Sequence, residues 1–167
     1  MSKTAISWLF FVAICTTLGA QSKAYTTMLQ TLLSHTVPEI SVTQAVKQAQ
    51  STGTYFMDAR ETKEFNVSHI KGAISVGYDH FDLKNWSKIP KNAPIIVYCS
   101  VGYRSEKVAE KLIKAGYTNV KNLYGGIFEW VNQNNTIVDN QGKPTQKVHA
   151  FDKNWGIWLQ KGIKVYG

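Results

Sequence analysis

The stretch IIVYCSVGYRS, residues 95–105, joins an apolar run to a short loop that begins with a cysteine and contains a glycine. The unbroken run Ile95–Tyr98 is typical of a strand that is buried on both faces of a sheet. From Ser105 onward, apolar residues recur at helical spacing. The sequence therefore predicts a strand, a loop that starts at Cys99, and a helix whose N-terminus faces that thiol.

A thiol in this position is arranged to react as a thiolate. A helix N-terminus offers unpaired backbone N–H groups and the positive end of the helix dipole, and both stabilise an anion. A glycine in the loop permits the positive φ that a curl around the sulfur requires, and an arginine adds a cation for an anionic substrate. We predict Cys99 as the catalytic nucleophile. The residues predicted to bind substrate are the six that follow it: Ser100, Val101, Gly102, Tyr103, Arg104 and Ser105.

Length and composition indicate one globular domain. The chain has 167 residues, of which 44% are hydrophobic and 18% charged, so it is long enough for one domain with a hydrophobic core. The formal net charge is +8, yet no run of lysine and arginine stands out and no aromatic platform motif is present. We therefore expect no nucleic-acid partner. The four histidines are scattered without the spacing of metal ligands, so no metal site is expected.

The first 24 residues have the pattern of a secretory signal. Lys3 precedes an apolar run over residues 6–20, which ends in small residues and is too short for a membrane span. The predicted cleavage lies between residues 20 and 24, with no membrane span in the mature chain and an extracytoplasmic, periplasmic location. A lipoprotein cut before Cys15 is disfavoured by Ile14, where a small residue is expected. Loss of Cys15 leaves one thiol, which excludes an internal disulfide.

Strand and helix patterns alternate along the rest of the chain. Strands are predicted over residues 54–58, 73–76, 95–98 and 119–123, and Ser41 to Gln44 form a predicted helix-capping box. Such alternation predicts an α/β fold with a mostly parallel sheet and helices on both faces. The domain is assigned to residues 25–132. Residues 133–167 are predicted to be a short C-terminal extension docked on it, with Trp155 and Trp158 on one face of a short helix.

Several segments together carry a family resemblance. The segments are DARE (58–61), EF (64–65), HIKGAI (69–74), CSVGYRS (99–105) and LYGGIFEW (123–130). Together they cover about residues 40–132, and they resemble the rhodanese family of sulfurtransferases. The resemblance implies a single rhodanese-type domain, similar to the small exported members, that needs no cofactor.

The resemblance also implies a reaction. Cys99 would take the outer sulfur of an anionic donor such as thiosulfate as a persulfide and pass it to cyanide, a small thiol or a protein thiol. Arg104 follows Cys99 after four residues, whereas the related cell-cycle phosphatases have a loop one residue longer that admits phosphate. Glu64 stands where the two-domain enzymes have a substrate-binding arginine. The alternatives are a persulfide carrier or sensor and a non-catalytic interaction module.

Three further polar residues are predicted to lie near the site in structural roles. Asp58 and Arg60 are interpreted as an ion pair at the end of the first long strand, because sulfur transfer needs no proton shuttle. His69 is interpreted as a hydrogen-bonded residue of the fold.

Overall fold

The computed structural model describes the backbone of residues 15–167 and the side chains of residues 23–167. Five parallel strands form the central sheet in the order β1-β5-β4-β2-β3. The strands are β1 (Glu39–Ile40), β2 (Tyr55–Asp58), β3 (Ile74–Ser75), β4 (Ile95–Tyr98) and β5 (Val120–Leu123). The helices are α1 (Cys15–Leu32), α2 (Val42–Ala49), α3 (Thr62–Val67), α4 (Tyr103–Lys114), α5 (Gly126–Asn132) and α6 (Lys153–Gly156).

The central strand β4 has helices on both of its faces. Ile95 and Val97 share a buried cluster with residues of α4, while Ile96 and Tyr98 share the opposite cluster with residues of α2 and α5. All four of these side chains are almost completely buried, as a doubly covered parallel strand requires. The predicted α/β fold, with its mostly parallel sheet between helices, is confirmed.

The capping box predicted at the start of α2 is present. The Ser41 Oγ accepts the backbone N–H of Gln44 at 3.3 Å, and the Gln44 Oε1 accepts the backbone N–H of Ser41 at 3.0 Å. These two bonds satisfy amide groups that have no partner within the helix.

The C-terminal residues add two small sheets. Strands β6 (Ile137–Val138) and β7 (Pro144–Thr145) pair antiparallel, and β8 (Lys147–His149) and β9 (Ile163–Val165) pair parallel. Val148, Ala150 and Leu159 are fully buried in the cluster that also holds α2 and α5. The extension therefore packs on the sheet domain through apolar burial.

Two tryptophans in this extension lie in different places. Helix α6 ends at Gly156, so Trp158 lies beyond it, and its ring stacks on Tyr25 at a centroid distance of 5.4 Å. Trp155 instead lines a cavity at Cys99. The interpretation that both share one face of a helix is wrong, because the helix is too short to include both.

The predicted signal falls partly outside the described residues. Helix α1 runs through the predicted cleavage positions 20–24, and Tyr25 and Leu29 are its first buried side chains among those described. Within residues 15–167, no helix combines the length and the apolar character needed to cross a bilayer. Cleavage and location stay predictions.

The N-terminus of α5 fixes the loop after β4. The backbone N–H groups of Ile127 and Phe128 donate to the carbonyl oxygens of Cys99 and Ser100 at 2.9 and 3.1 Å. A Cβ on Gly126 would lie 2.4 Å from the Cys99 carbonyl oxygen, so only glycine permits this approach. The helix thus draws the two carbonyls to one side of the loop.

We expect Gly126→Ala to destabilise the fold and to displace the Cys99 loop. Overpacking of a tight contact costs about 1–3 kcal/mol, in addition to the cost of a positive φ without glycine. Gly142→Ala is the matched control, because Gly142 also has a positive φ, of 76°, but a Cβ there meets nothing within 4 Å. Urea unfolding measures the difference. Equal destabilisation by both substitutions would contradict the steric argument.

Candidate active site

Cys99 follows β4 directly, at the carboxyl end of the sheet. Its side chain is buried, and the backbone N–H of Gly102 donates to its Sγ at 3.1 Å. Gly102 has a φ of 121°, a conformation that L side chains rarely adopt. The loop therefore curls back on the sulfur, and an amide dipole points at the atom that would carry the negative charge.

A buried pair holds the curl from behind. The Asn122 side-chain amide of β5 donates to the Gly102 carbonyl at 3.0 Å, and the Ser105 hydroxyl donates to Asn122 Oδ1 at 2.7 Å. The Ser105 hydroxyl therefore faces the sheet. Neither Gly102 nor Ser105 lines the cavity at Cys99, whereas Ser100, Val101, Tyr103 and Arg104 do.

Arg104 is engaged by Glu64 of α3. Its two terminal nitrogens donate to the two Glu64 carboxylate oxygens at 2.7 and 2.8 Å, and one of them also donates to Ser100 Oγ at 3.1 Å. Glu64 is 1% exposed and Arg104 15% exposed. Burial alone raises the pKa of Glu64, but the hydrogen bonds and charge of Arg104 outweigh it and lower that pKa below its ordinary value. The cation beside Cys99 is therefore already paired.

The cavity above Cys99 has a volume of about 220 Å³. Its walls are mostly apolar and come from three separate parts of the chain. Tyr103 and Val101 belong to the loop region, Leu32 ends α1, and Phe151 and Trp155 belong to the C-terminal extension. Cys99 therefore lines a mostly apolar cavity to which three aromatic side chains contribute.

Sequence reasoning did not identify Leu32, Phe151 and Trp155 as site residues. They lie 67, 52 and 56 positions from Cys99, and packing of the two chain ends on the sheet brings them together. The aromatic residues of the extension are the only sequence signal for this part of the cavity. Aromatic residues alone do not distinguish a cavity wall from the hydrophobic core. Glu64 departs from the family pattern, but nothing in the sequence predicts its pairing with Arg104.

Asp58 and Arg60 form a buried ion pair beneath the site, both side chains being 0% exposed. The Arg60 Nη2 donates to Asp58 Oδ2 at 2.7 Å and to the Ser68 carbonyl at 2.6 Å. Burial alone lowers the pKa of Arg60, but the Asp58 carboxylate outweighs it and raises that pKa above its ordinary value. The pair joins the end of β2 to the segment after α3.

His69 is tied to backbone. Its ring stacks on Phe65 at 3.8 Å, and its Nδ1 lies 3.1 Å from the Phe65 carbonyl oxygen. Its own N–H and C=O pair with the C=O and N–H of Val138 in β6. Among the described residues, no group of three histidine, cysteine, aspartate or glutamate side chains is placed to hold a metal ion.

Curated relatives share part of this chain. The tRNA uridine(34) hydroxylase of Acholeplasma laidlawii is 32% identical over 121 residues, which are 69% of this chain and 37% of that protein. The tRNA uridine(34) hydroxylase of Bacillus cereus strain Q1 is 37% identical over 89 residues, 50% of this chain and 27% of that protein. The chain thus spans about a third of the length of these relatives.

These relatives correct the predicted function. The prediction of a thiosulfate sulfurtransferase, with its persulfide carrier variant, is wrong because the relatives carry the name of a hydroxylase. The expected exclusion of nucleic acid is contradicted as well, since that name gives tRNA as the substrate of those proteins. The physical reason is visible in the site: the Arg104 cation that would bind a small sulfur anion is paired with Glu64.

A protein-family model matches more than half of this chain. Residues 42–133 match the family model described as Rhodanese-like domain. The rhodanese-like domain protein from Staphylococcus aureus has a solved structure that is 26% identical, with a TM-score of 0.51 over 56% of this chain and 90% of that one. Its fold agrees with the α/β fold described above. This chain belongs to the rhodanese-like domain family.

Proposed function

We propose that this chain supplies the reactive-cysteine domain of an enzyme activity that modifies the uracil ring of uridine in RNA. The observation that carries the proposal is the site itself, a thiol beneath an aromatic cavity whose one arginine is paired with a carboxylate. The names of the curated relatives support the same substrate.

The charge of the site favours an uncharged substrate. Glu64 neutralises Arg104, so the residues that line the cavity offer a small dianion no unpaired cation. An anion that enters this apolar cavity loses its water of hydration without gaining an ion pair, which costs free energy. A neutral ring avoids this cost and gains contact with the apolar walls.

The chemistry follows from the nucleophile. A thiolate adds to C6 of uracil: the Sγ–C6 bond forms, and the C5=C6 electron pair moves towards the C4 oxygen to give an enolate. The enolate takes a proton from water at C5. Loss of a C5 proton and release of the thiolate then restore the ring. Without any oxidant, the net result of this cycle is exchange of the C5 hydrogen with solvent.

We expect the full chain to exchange the C5 hydrogen of uridines in tRNA with deuterium from heavy water. Mass spectrometry of the released nucleosides measures this as a gain of one mass unit on uridine. Cys99→Ser abolishes the exchange, because serine is not ionised at neutral pH. Cys15→Ser is the matched control, since it removes the second thiol of the chain and leaves exchange unchanged. Exchange that persists in Cys99→Ser, or is absent from the wild-type protein, contradicts the proposal.

The pairing of Arg104 gives a second prediction. Glu64→Gln removes the carboxylate and leaves an unpaired cation beside Cys99. Alkylation of Cys99 by the anion iodoacetate should then accelerate relative to neutral iodoacetamide by about fivefold, since two charges 4 Å apart interact by about 1 kcal/mol even in bulk water. Glu110→Gln is the control, because Glu110 pairs with Lys107 away from the cavity. An unchanged ratio in Glu64→Gln would show that Arg104 does not set the charge preference.

Cell location tests the proposal independently. The predicted signal and action on tRNA exclude one another, because tRNA is confined to the cytoplasm. Fractionation of the native cells followed by N-terminal sequencing decides between them. Protein that retains residues 1–24 in the cytoplasm agrees with uridine as the substrate. An envelope form that begins between Gln21 and Tyr25 confirms the signal and overturns the RNA proposal.

A further inference from the structure

Phe151 lies at the mouth of the cavity in a strained backbone conformation. Its φ is 65°, in the left-handed region, where a bulky side chain is a genuine outlier. Phe151 is 47% exposed, so its apolar burial offsets the cost of the strained backbone less than burial in the core would. Strained residues of this kind cluster where a ligand is held.

Neighbouring groups hold Phe151 in this conformation. Its backbone N–H donates to Nδ1 of the buried His149 at 3.2 Å. The next residue, Asp152, accepts the N–H groups of Asn154 and Trp155 and so begins α6. The strained residue is thus fixed on both sides, and Trp155 is placed in the cavity wall by the same turn.

The Phe151 ring also lies against Arg104. The guanidinium carbon is 5.3 Å from the ring centroid, and two hydrogen bonds to Glu64 hold the same guanidinium in place. The ring is therefore held at the rim of the cavity by a cation–π contact. The cavity volume of about 220 Å³ equals that of about seven water molecules, a space suited to a single small ring rather than to a chain of nucleotides.

We propose that Phe151 is a substrate-binding residue whose ring stacks on a planar pyrimidine in the cavity above Cys99. Phe151 belongs to the C-terminal extension, which lies outside the family match at residues 42–133, and Trp155 of the same extension forms another part of the cavity wall. The inference rests on the proposed function for the identity of the ring. Stacking on an aromatic side chain is tolerant of sequence and contributes substantially to the binding of single bases.

The test compares two ligands that differ in planarity. Uridine has a flat, aromatic-like ring, whereas 5,6-dihydrouridine carries the same carbonyl and N–H groups on a puckered ring. Equilibrium dialysis with the Cys99→Ser protein measures binding without the covalent step. We expect tighter binding of uridine by about fivefold or more, from the usual strength of base stacking. Phe151→Leu keeps an apolar cover over Arg104 but removes the ring face, so it should abolish the preference, and Phe151→Tyr should retain it.

A stability measurement separates binding from structure. Phe151→Gly relieves the positive φ, so its melting temperature should stay equal or rise while the preference for uridine is lost. A residue that serves the fold alone would instead lower the melting temperature. Ile157→Ala is the control, since Ile157 is 56% exposed in the same extension and does not line the cavity; it should leave the preference unchanged.

Equal binding of the two ligands, no binding of uridine, or a preference that survives Phe151→Leu would each overturn this inference. Its failure is distinguishable from failure of the proposed function. Uridine-selective binding that depends on Phe151, without C5 exchange by the wild-type protein, would retain the ring site and reject the covalent chemistry. Exchange that is unaffected in Phe151→Leu would retain the chemistry and reject the ring site.

Discussion

The site depends on one close backbone approach, that of α5 to the loop after β4. The amide groups of Ile127 and Phe128 bind the carbonyls of Cys99 and Ser100, and Gly126 leaves no room for a side chain between them. With two carbonyls turned towards α5, the curl of the loop brings the Gly102 amide onto the sulfur. A single peptide dipole is a modest contribution, but its direction is fixed by the packing of the whole helix.

A second constraint sets the charge around that sulfur. Arg104 lies at the end of the cysteine loop and donates two hydrogen bonds to the carboxylate of Glu64. Glu64 is buried and its pKa is lowered, so the carboxylate stays ionised and the pair stays neutral at ordinary pH. The loop thus directs an amide at the Cys99 sulfur, while the pairing with Glu64 leaves Arg104 no free charge for a small anion. Because the charge of Arg104 is neutralised, the electrostatics of the cavity do not favour a small anion over a neutral molecule.

Much of the fold was predictable because it depends on local patterns. The apolar run of β4, the capping box at Ser41 and the alternation of strands with helices each follow from neighbouring residues, and the structure agrees with all three. Cys99 and its loop were predictable for the same reason. Glu64 and Arg104 are 40 positions apart in the sequence, and no local pattern predicts that they pair. The left-handed φ of Phe151 was also unpredictable, because this conformation is usually adopted by glycine and not by phenylalanine.

The three cavity residues that escaped prediction lie outside the residues that match the family. The matched residues supply strands β2 to β5, the cysteine loop and the α5 contact, which together direct a backbone amide at the Cys99 sulfur. Leu32 lies before that match, Phe151 and Trp155 lie after it, and all three line the same cavity as Cys99. A resemblance confined to the matched residues therefore predicts the position of the cysteine but not the substrate that the cavity binds. The sulfurtransferase prediction is wrong for this reason. It infers the substrate from the loop alone, whereas several walls of the cavity come from elsewhere in the chain.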